Sequence, residues 1–409
     1  SIDVHHAYVP RAKTLVLGNG QRRTTEGVEP VIKTIVGGGD CCNLNEGGTA
    51  LGAWGAGPTA VRRGPNGDLY FAASDARSIR RVSARDGTVV TVAGNGDFGA
   101  TGDGGPATQA ALGAPRDLAI DVDGSIYILD PAFHVVRKVS PAGIISRFAG
   151  TGSYGFSGDG GPADQAQLAS PQGLAIGADG SVYIADTYNS RIRRVRPDGT
   201  IFTIAGGGAN PIVPGPAPFA TDIYLGTPVG IAMTPDGNLI IADQGLNGFE
   251  NHIRQLEPDG SIRNIAGMGN AGVSGDGGPA TASHIDAPAY LAIGPDGSIY
   301  FSTRDVTQTS DTTGGVRVIS PNGIITTVLG AHDPDCSTGF CREGAPALAA
   351  HISSADGIEI APDGTLLVAL STAGRIIEVR PPLPGVSLAL TVIASEDGGE
   401  LYVFDSAGR

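Results

Sequence analysis

Six copies of one short pattern run through this chain of 409 residues and limit its possible folds more than any other feature. Each copy has an Asp-Gly or Asn-Gly turn, and an apolar residue stands six positions before the glycine. The successive turns are separated by 57, 56, 57, 60 and 67 residues. Such regular spacing indicates one structural unit that repeats and stacks on its neighbours. The six aligned glycines are Gly67, Gly124, Gly180, Gly237, Gly297 and Gly364.

The clearest copy, 171–208, predicts four antiparallel strands joined by tight turns. Its runs GLAI, SVYIAD, RIRRV and TIFTIAG are rich in β-branched and aromatic residues and are separated by turn residues. We name these strands a, b, c and d. Strands a and b are apolar on both faces, which predicts that they lie inside the fold. Strand c alternates Arg with Ile or Val, and this pattern predicts a solvated face. The arginines concerned are Arg80, Arg81, Arg193 and Arg194.

Six such sheets bury their faces if they pack radially around an axis, so the sequence predicts an all-β, six-bladed β-propeller. The 64 glycines and 28 prolines exclude long helices. The sixth copy lacks a clear strand d, whereas an isolated strand d, VIKTIVGGG at 31–39, precedes the first copy. We expect this N-terminal strand to complete the last blade and close the ring. A seven-bladed alternative uses HHAYVP, KTLVLGNG and QRRT as an extra blade.

The propeller is expected to occupy 31–385, between an N-terminal lead-in at 1–30 and a C-terminal segment at 386–409. The net charge of −14 argues against nucleic-acid binding, which needs clustered Lys and Arg. The longest apolar run, 386–394, is too short to cross a bilayer, so we expect no membrane insertion by this segment.

One face of the propeller is the predicted interaction surface. In a meander that starts at the axis, the b-to-c loops and the d-to-a connections emerge together, and the opposite face has only short turns. The b-to-c loops are longest at 245–251 and 306–315, and loops on a rigid scaffold often bind partners. Trp54 is either a further contact or a buried anchor. The candidate partner-binding residues are Gly245, Leu246, Asn247, Phe249, Glu250, Thr307, Gln308 and Asp311.

Two groups of residues raise the question of a metal site. Asp103, Asp159 and Asp276 lie in GDGG loops, where a calcium site competes with ordinary turn hydrogen bonding, which we favour. His284 and His351 occupy equivalent positions, but two histidines are a weak zinc signal, and packed or solvated histidine is the default. We expect no cofactor and no catalytic residue. The aspartate that ends strand b (Asp75, Asp130, Asp186 and Asp243) is expected to recur once per blade and is predicted to be structural.

The four cysteines fall in two d-to-a connections. Cys41 and Cys42 precede the first blade, whereas Cys336 and Cys341 precede the sixth. These blades are neighbours in a closed ring, so a disulfide between the connections, a local bond between Cys336 and Cys341, and free thiols all remain open. A disulfide would imply an oxidising compartment.

The blade pattern, with DGSVYIADTYNSRIRRV followed by DGTIFTIAG, resembles the NHL repeat, and the SGDGGPA connection is similar to that of bacterial NHL proteins. DVHHAYVPRAKTLVLGNG and GGELYVFDSAGR resemble the segments that flank the NHL propeller in teneurins and bacterial RHS (YD-repeat) proteins. This resemblance covers essentially the whole chain.

The resemblance implies an extracellular or cell-surface module that mediates adhesion and contacts a YD-repeat shell in the same protein. Its partner would be a protein, a glycan, or the same protein on another cell. Alternatives are a plug of an RHS toxin shell, cytoplasmic before toxin delivery, and a metal-dependent enzyme of the zinc-lyase or lactone-hydrolase propeller type.

Overall fold

Six four-stranded antiparallel sheets form the six blades of a β-propeller. The structure is a computed structural model and describes residues 14–17, 22–24, 30, 32–39, 44–209, 219–245, 251–269, 271–303, 315–330, 340–341, 346–352, 355–381, 391–394 and 400–404. Within these ranges the only helices are short 3₁₀ turns, and no helix is long and apolar enough to cross a membrane.

Each blade has its strands in the order a, b, c, d from the axis outwards. Blade 1 comprises Pro58–Arg63, Leu69–Ala73, Ser78–Val82 and Val89–Ala93, and blade 2 comprises Asp117–Ile120, Ile126–Asp130, Val135–Val139 and Ile145–Ala149. Blade 3 comprises Gly173–Ile176, Val182–Asp186, Arg191–Val195 and Ile201–Gly206, and blade 4 comprises Thr227–Met233, Leu239–Gln244, Asn251–Leu256 and Ile262–Gly269. Blade 5 comprises Leu291–Ile293, Ile299–Thr303, Gly315–Ile319 and Ile325–Leu329.

Blade 6 closes the ring in the predicted manner. Its first three strands are Ile358–Ile360, Leu366–Leu370 and Arg375–Val379, and its fourth is the N-terminal strand Ile32–Val36. This strand pairs antiparallel with strand c, with Ile32 opposite Val379. An apolar segment from one end of the chain thus completes the sheet begun at the other end, and the edge of strand c is covered.

The remaining strands near the two ends of the chain form a separate sheet. Thr14–Leu17, Arg22–Thr24, Thr391–Ala394 and Glu400–Phe404 make four strands, of which Thr14–Leu17 and Glu400–Phe404 run parallel. A propeller blade here is an antiparallel meander, so the seven-bladed alternative is wrong. A further two-stranded sheet joins Phe340–Cys341 to His351–Ile352.

The aligned glycines keep the six blades in register. All six lie in the turn between strands a and b with φ between +77° and +88°. Side chains other than glycine rarely adopt this left-handed conformation. The repeat therefore marks the point where each blade reverses direction beside the axis.

The core lies between consecutive blades. One buried cluster combines Leu129 and Val136 of blade 2 with Leu174, Ile184 and Val195 of blade 3, and similar clusters join the other neighbouring blades. Because each sheet buries both faces against its neighbours, the ring is stabilised as a whole.

Candidate functional site

The acidic loops bind buried arginines. In three blades, the third residue of strand c is an arginine whose guanidinium donates to the aspartate of the preceding GDGG loop. The Nη2–Oδ1 distances are 2.7 Å for Arg137–Asp103, 2.7 Å for Arg193–Asp159 and 2.6 Å for Arg317–Asp276. The same guanidinium groups donate to backbone carbonyls of the loop, such as Thr101 O for Arg137 at 3.0 Å. These carboxylates are therefore engaged as structural ion pairs, which weakens the calcium alternative.

The predicted solvated face of strand c is wrong at this third position. Arg80 and Arg193 are fully buried, with 1% and 0% of their surface exposed, whereas the adjacent Arg81 and Arg194 are partly exposed. Arg80 donates to Glu46, the counterpart of the loop aspartates. Blade 4 has a buried arginine, Arg254, as the fourth residue of its longer strand c, and blade 6 has an isoleucine at the third position. The guanidinium groups of these strand-c arginines are shielded from solvent because the connection from the previous blade packs against strand c.

The GDGG loops also connect neighbouring blades through the backbone. Gly94, which follows strand d of blade 1, donates its N–H to Ala107 O at 2.9 Å. Ala107 in turn donates to Gly143 O in the c-to-d turn of blade 2 at 2.8 Å, and Gly104 donates to Ile145 O at 2.8 Å. These segments of the d-to-a connections thus bridge the outer strands of consecutive blades.

Three of the strand-b aspartates are buried and support the same connections. Asp130 accepts the Gly113 N–H at 2.6 Å, Asp186 accepts the Ala169 N–H at 2.7 Å, and Asp243 accepts the Gly226 N–H at 3.3 Å. Burial raises the pKa of all three carboxyl groups, against the opposing effect of these hydrogen bonds. These contacts agree with a structural role.

Asp75 differs from these three aspartates because it stands two positions later in its blade and is exposed. Measured from the aligned glycine, its blade has Ala73 at the position that Asp130 occupies. Asp75 is therefore not an equivalent residue.

The two equivalent histidines do not form a described metal site. His284 is partly buried, and its backbone carbonyl accepts a hydrogen bond from Arg317 at 2.8 Å. His351 lies in a described strand, but its side chain is outside the described part. Among the described residues, no three His, Cys, Asp or Glu side chains are grouped to hold a metal ion.

An exposed row of aromatic side chains lies on the b-to-c and d-to-a loops of blades 1 to 3. The Phe98 and Phe133 rings are 5.1 Å apart, and the His134 and Tyr154 rings are 5.4 Å apart in an edge-on arrangement. The Arg77 guanidinium lies 5.6 Å from the Phe98 ring centre. Because Phe133 and His134 are adjacent in the chain, the five residues form one continuous surface, which we name the aromatic stripe.

The outer members of the aromatic stripe are exposed despite their size. Phe98 is 62% exposed and Tyr154 is 60% exposed. Tyr188, on the next b-to-c turn, is 63% exposed, and Asn189 beside it donates to Gly155 O at 2.8 Å. Exposed aromatic groups that adjoin one another are typical of interaction surfaces.

Comparisons with known proteins agree with this architecture. A family model described as the teneurin NHL domain matches residues 93–157 and 151–217. Teneurin-m of Drosophila melanogaster is 27% identical over 446 residues, an alignment that covers 100% of this chain and 15% of Teneurin-m. The chain is thus similar to the NHL domain of teneurins.

Two further comparisons show how much of its relatives the chain covers and that the fold occurs in other proteins. Teneurin-1 of Gallus gallus is 26% identical over 449 residues, which cover 100% of this chain and 16% of Teneurin-1, so the chain spans a small part of these relatives. An auxiliary nutrient binding protein of Bacteroides thetaiotaomicron superposes with a TM-score of 0.60 at 13% identity, covering 88% of this chain and 81% of that one. At this identity the likeness shows the fold alone.

Most of the predicted partner-binding residues of this chain lie outside the described part of the structure. The partner-binding candidates outside it are Leu246, Asn247, Phe249, Glu250, Thr307, Gln308 and Asp311. The disulfide candidates Cys41, Cys42 and Cys336 also lie outside it. Gly245 is described and buried, and Cys341 lies in a strand whose side chains are not described. Trp54 is partly buried and packs against the cluster between blades 6 and 1.

Sequence reasoning did not select the aromatic stripe. Phe98 and Tyr154 stand at equivalent positions of two connections, five residues before the aspartate of each GDGG loop. The third such connection has Ala271 at this position. Aromatic residues in two of the three connections with a GDGG motif, against alanine in the third, are the sequence pattern that could have indicated the aromatic stripe.

Proposed function

We propose that this domain is a non-catalytic recognition and adhesion module of a large extracellular or cell-surface YD-repeat protein. The aromatic stripe is the observation that carries the proposal. Large aromatic side chains dominate the binding energy of many protein interfaces, and arginine is enriched beside them. The stripe combines both kinds of side chain on the b-to-c and d-to-a loops of blades 1 to 3.

The partner we propose is another protein surface, with a copy of the same protein on another cell as the first candidate. The loops that carry Phe98 and Tyr154 are joined to neighbouring blades by hydrogen bonds, so little conformational entropy is lost when a partner binds. The likeness to teneurins over the whole chain supports an adhesive role. The domain would also contact a YD-repeat shell of its own protein.

The acidic groups of the repeat support a non-catalytic function. Asp103, Asp159 and Asp276 pair with buried arginines, and Asp130 and Asp186 accept backbone N–H groups. Each of these carboxylates has a structural partner that recurs in other blades. A single reacting centre would instead require a group found in one blade.

Bead aggregation tests the proposed adhesion. Beads coated with the chain, which is produced without glycans, should cluster. The double variant Phe98→Ala with Tyr154→Ala should reduce clustering at least about tenfold, because large exposed aromatic residues often act as interface hot spots. Val122→Ala is a matched control, because Val122 is 92% exposed on an a-to-b turn of the opposite face. Thermal unfolding would verify that both variants remain folded.

The outcomes separate the possible partners. Clustering of the double variant at the level of Val122→Ala would refute the role of the stripe. If coated beads do not cluster but the chain binds glycans through Phe98 and Tyr154, the partner is a glycan and the proposed protein contact is wrong.

A further inference from the structure

The inner strands of all six blades end around one pocket on the axis. This axial pocket has a volume of about 300 Å³ and opens on the face of the a-to-b turns, opposite the aromatic stripe. Behind it, the Arg116 guanidinium of blade 2 lies 5.8 Å from the Tyr290 ring centre of blade 5. Blades 2 and 5 stand on opposite sides of the ring, so this contact crosses the axis.

Close contacts between neighbouring inner strands narrow the ring behind the pocket. A Cβ atom at Gly230 would lie 1.9 Å from Ala289 O, and a Cβ atom at Gly173 would lie 2.3 Å from Val229 O. Only glycine permits this approach of one backbone to the next. The inner strands behind the axial pocket are thus tightly packed against one another.

The walls of the axial pocket depart from the repeat in one sector. Four blades place alanine and then a large aliphatic residue at the end of strand a, whereas blade 6 has Glu359 before Ile360 and blade 1 has Arg62 and Arg63. Blades 6 and 1 are neighbours, so the charged residues lie together. The aliphatic wall consists of Ile120, Ile176, Met233, Ile293 and Ile360.

The guanidinium of Arg62 is already engaged in holding the blades together. It donates to Val61 O at 2.8 Å and to Ile358 O at 3.2 Å, and it pairs with Asp117 Oδ1 at 3.1 Å. These partners belong to blades 1, 6 and 2. Arg62 therefore serves the junction of three blades, and its charge is compensated by Asp117.

Glu359 and Arg63 keep polar groups available for a ligand. Oε1 of Glu359 accepts the backbone N–H of Arg63 at 2.9 Å. Within the described part of the chain, Oε2 of Glu359 and the exposed Arg63 guanidinium have no hydrogen-bond partner. Burial raises the pKa of Glu359, with the nearby Arg62 and Arg63 charges acting in the opposite direction. A cation placed against Glu359 would offset this cost of burial.

We propose that the axial pocket binds a free α-amino acid with a branched aliphatic side chain. The ammonium group would contact Glu359, the carboxylate would contact the Arg63 guanidinium, and the side chain would lie among the aliphatic wall. Guanidinium groups bind carboxylates through paired hydrogen bonds, which suits this orientation. The volume is at the lower end of the range of about 300–1,000 Å³ for ligand pockets, which suits a small molecule.

Calorimetric titration of the whole chain with L-leucine tests the proposal. Two ligand analogues, leucinamide and 4-methylpentanoate, lack the carboxylate and the ammonium group respectively. Each should bind at least about tenfold more weakly than leucine, because each loses a charge-assisted hydrogen bond. Glu359→Gln and Arg63→Gln should weaken leucine binding by a similar factor, whereas Arg85→Gln on an exposed c-to-d turn should not.

Several results would overturn the proposal. Absence of saturable leucine binding at millimolar concentrations would do so, as would 4-methylpentanoate binding as tightly as leucine. Equal binding of leucinamide would assign the pocket to the N-terminal residue of a peptide and refute the free amino acid. The comparison of ligands uses the unaltered chain, so it decides the matter even if Glu359→Gln does not fold.

Discussion

Replacing Arg193 with leucine should destabilise the propeller far more than neutralising its loop partner, Asp159. The Arg193 side chain is fully buried, whereas 39% of the Asp159 side chain is exposed. Arg193 donates to Asp159 at 2.7 Å, to Asp186 at 3.3 Å, and to the carbonyls of Ser157 and Gln167 at 3.1 and 3.3 Å. A single guanidinium thus satisfies four acceptors.

The two substitutions remove different parts of this arrangement. Arg193→Leu leaves Asp186 buried without its cation and two carbonyls without donors, and breaking a buried pair in this way costs about 3–5 kcal/mol. Asp159→Asn keeps an oxygen that accepts from Arg193, and Asp186 still balances the charge. Because the Asp159 side chain is partly exposed, we expect Asp159→Asn to lower the free energy of unfolding by about 1 kcal/mol or less.

Urea unfolding measures both losses if the slopes of the transitions agree with that of the unaltered chain. Arg194→Leu is the matched control, because Arg194 pairs with Asp179 at the surface, where the two side chains are 31% and 50% exposed. Its expected cost is also about 1 kcal/mol or less. Equal losses for Arg193→Leu and Asp159→Asn would refute the reasoning, since they would place the stability in the exposed carboxylate and not in the buried guanidinium.

Four further predictions follow from the structure. The carboxyl pKa of Asp130 is raised in the fold, so this group stabilises the fold below its ordinary pKa of 3.8, and the stabilisation is lost as the pH rises through the raised pKa. The free energy of unfolding, measured across this pH range, should therefore fall less steeply for Asp130→Asn than for the unaltered chain. Gly230→Ala should lower the unfolding midpoint more than Gly143→Ala, which has positive φ but no atom within 4 Å of its Cβ. Removal of residues 1–39 should abolish cooperative thermal unfolding, because blade 6 loses Ile32–Val36. Trimming residues 307–313 should leave thermal stability nearly unchanged and weaken partner binding; a large stability loss without a binding effect would contradict this.

The fold was predictable because the same physical requirement occurs six times. Each a-to-b turn needs a residue with positive φ, so the aligned glycines give the number of blades and their register. The missing strand d of the sixth copy and the early strand at 31–39 likewise indicated closure, and the observed strand is Ile32–Val36. The aligned glycines and the early strand d were thus sufficient to predict the number of blades and the way the ring closes.

The environment of the strand-c arginines was not predictable from alternation. A period of two shows that Arg193 and Arg194 face opposite sides of the sheet, but it does not show whether water or another segment covers each side. Asp159, which covers Arg193, is 34 residues away in the preceding connection. A usable signal was that three blades have both a GDGG loop and this arginine, whereas blade 6 has neither.

Comparison of equivalent positions separates residues that the ring requires from residues that it does not. The pairing of a loop aspartate with a strand-c arginine recurs wherever the connection takes the same path, so it reflects a requirement of the ring. Phe98, Tyr154 and Ala271 stand on connections with the same GDGG motif, yet their side chains differ greatly in size. The ring imposes no common residue at this position, which supports the proposal that the aromatic groups of blades 1 to 3 contact a partner. The same reasoning applies to Glu359 and Arg63, which replace the alanine and aliphatic residues of the other inner strands and are costly to place beside an apolar wall.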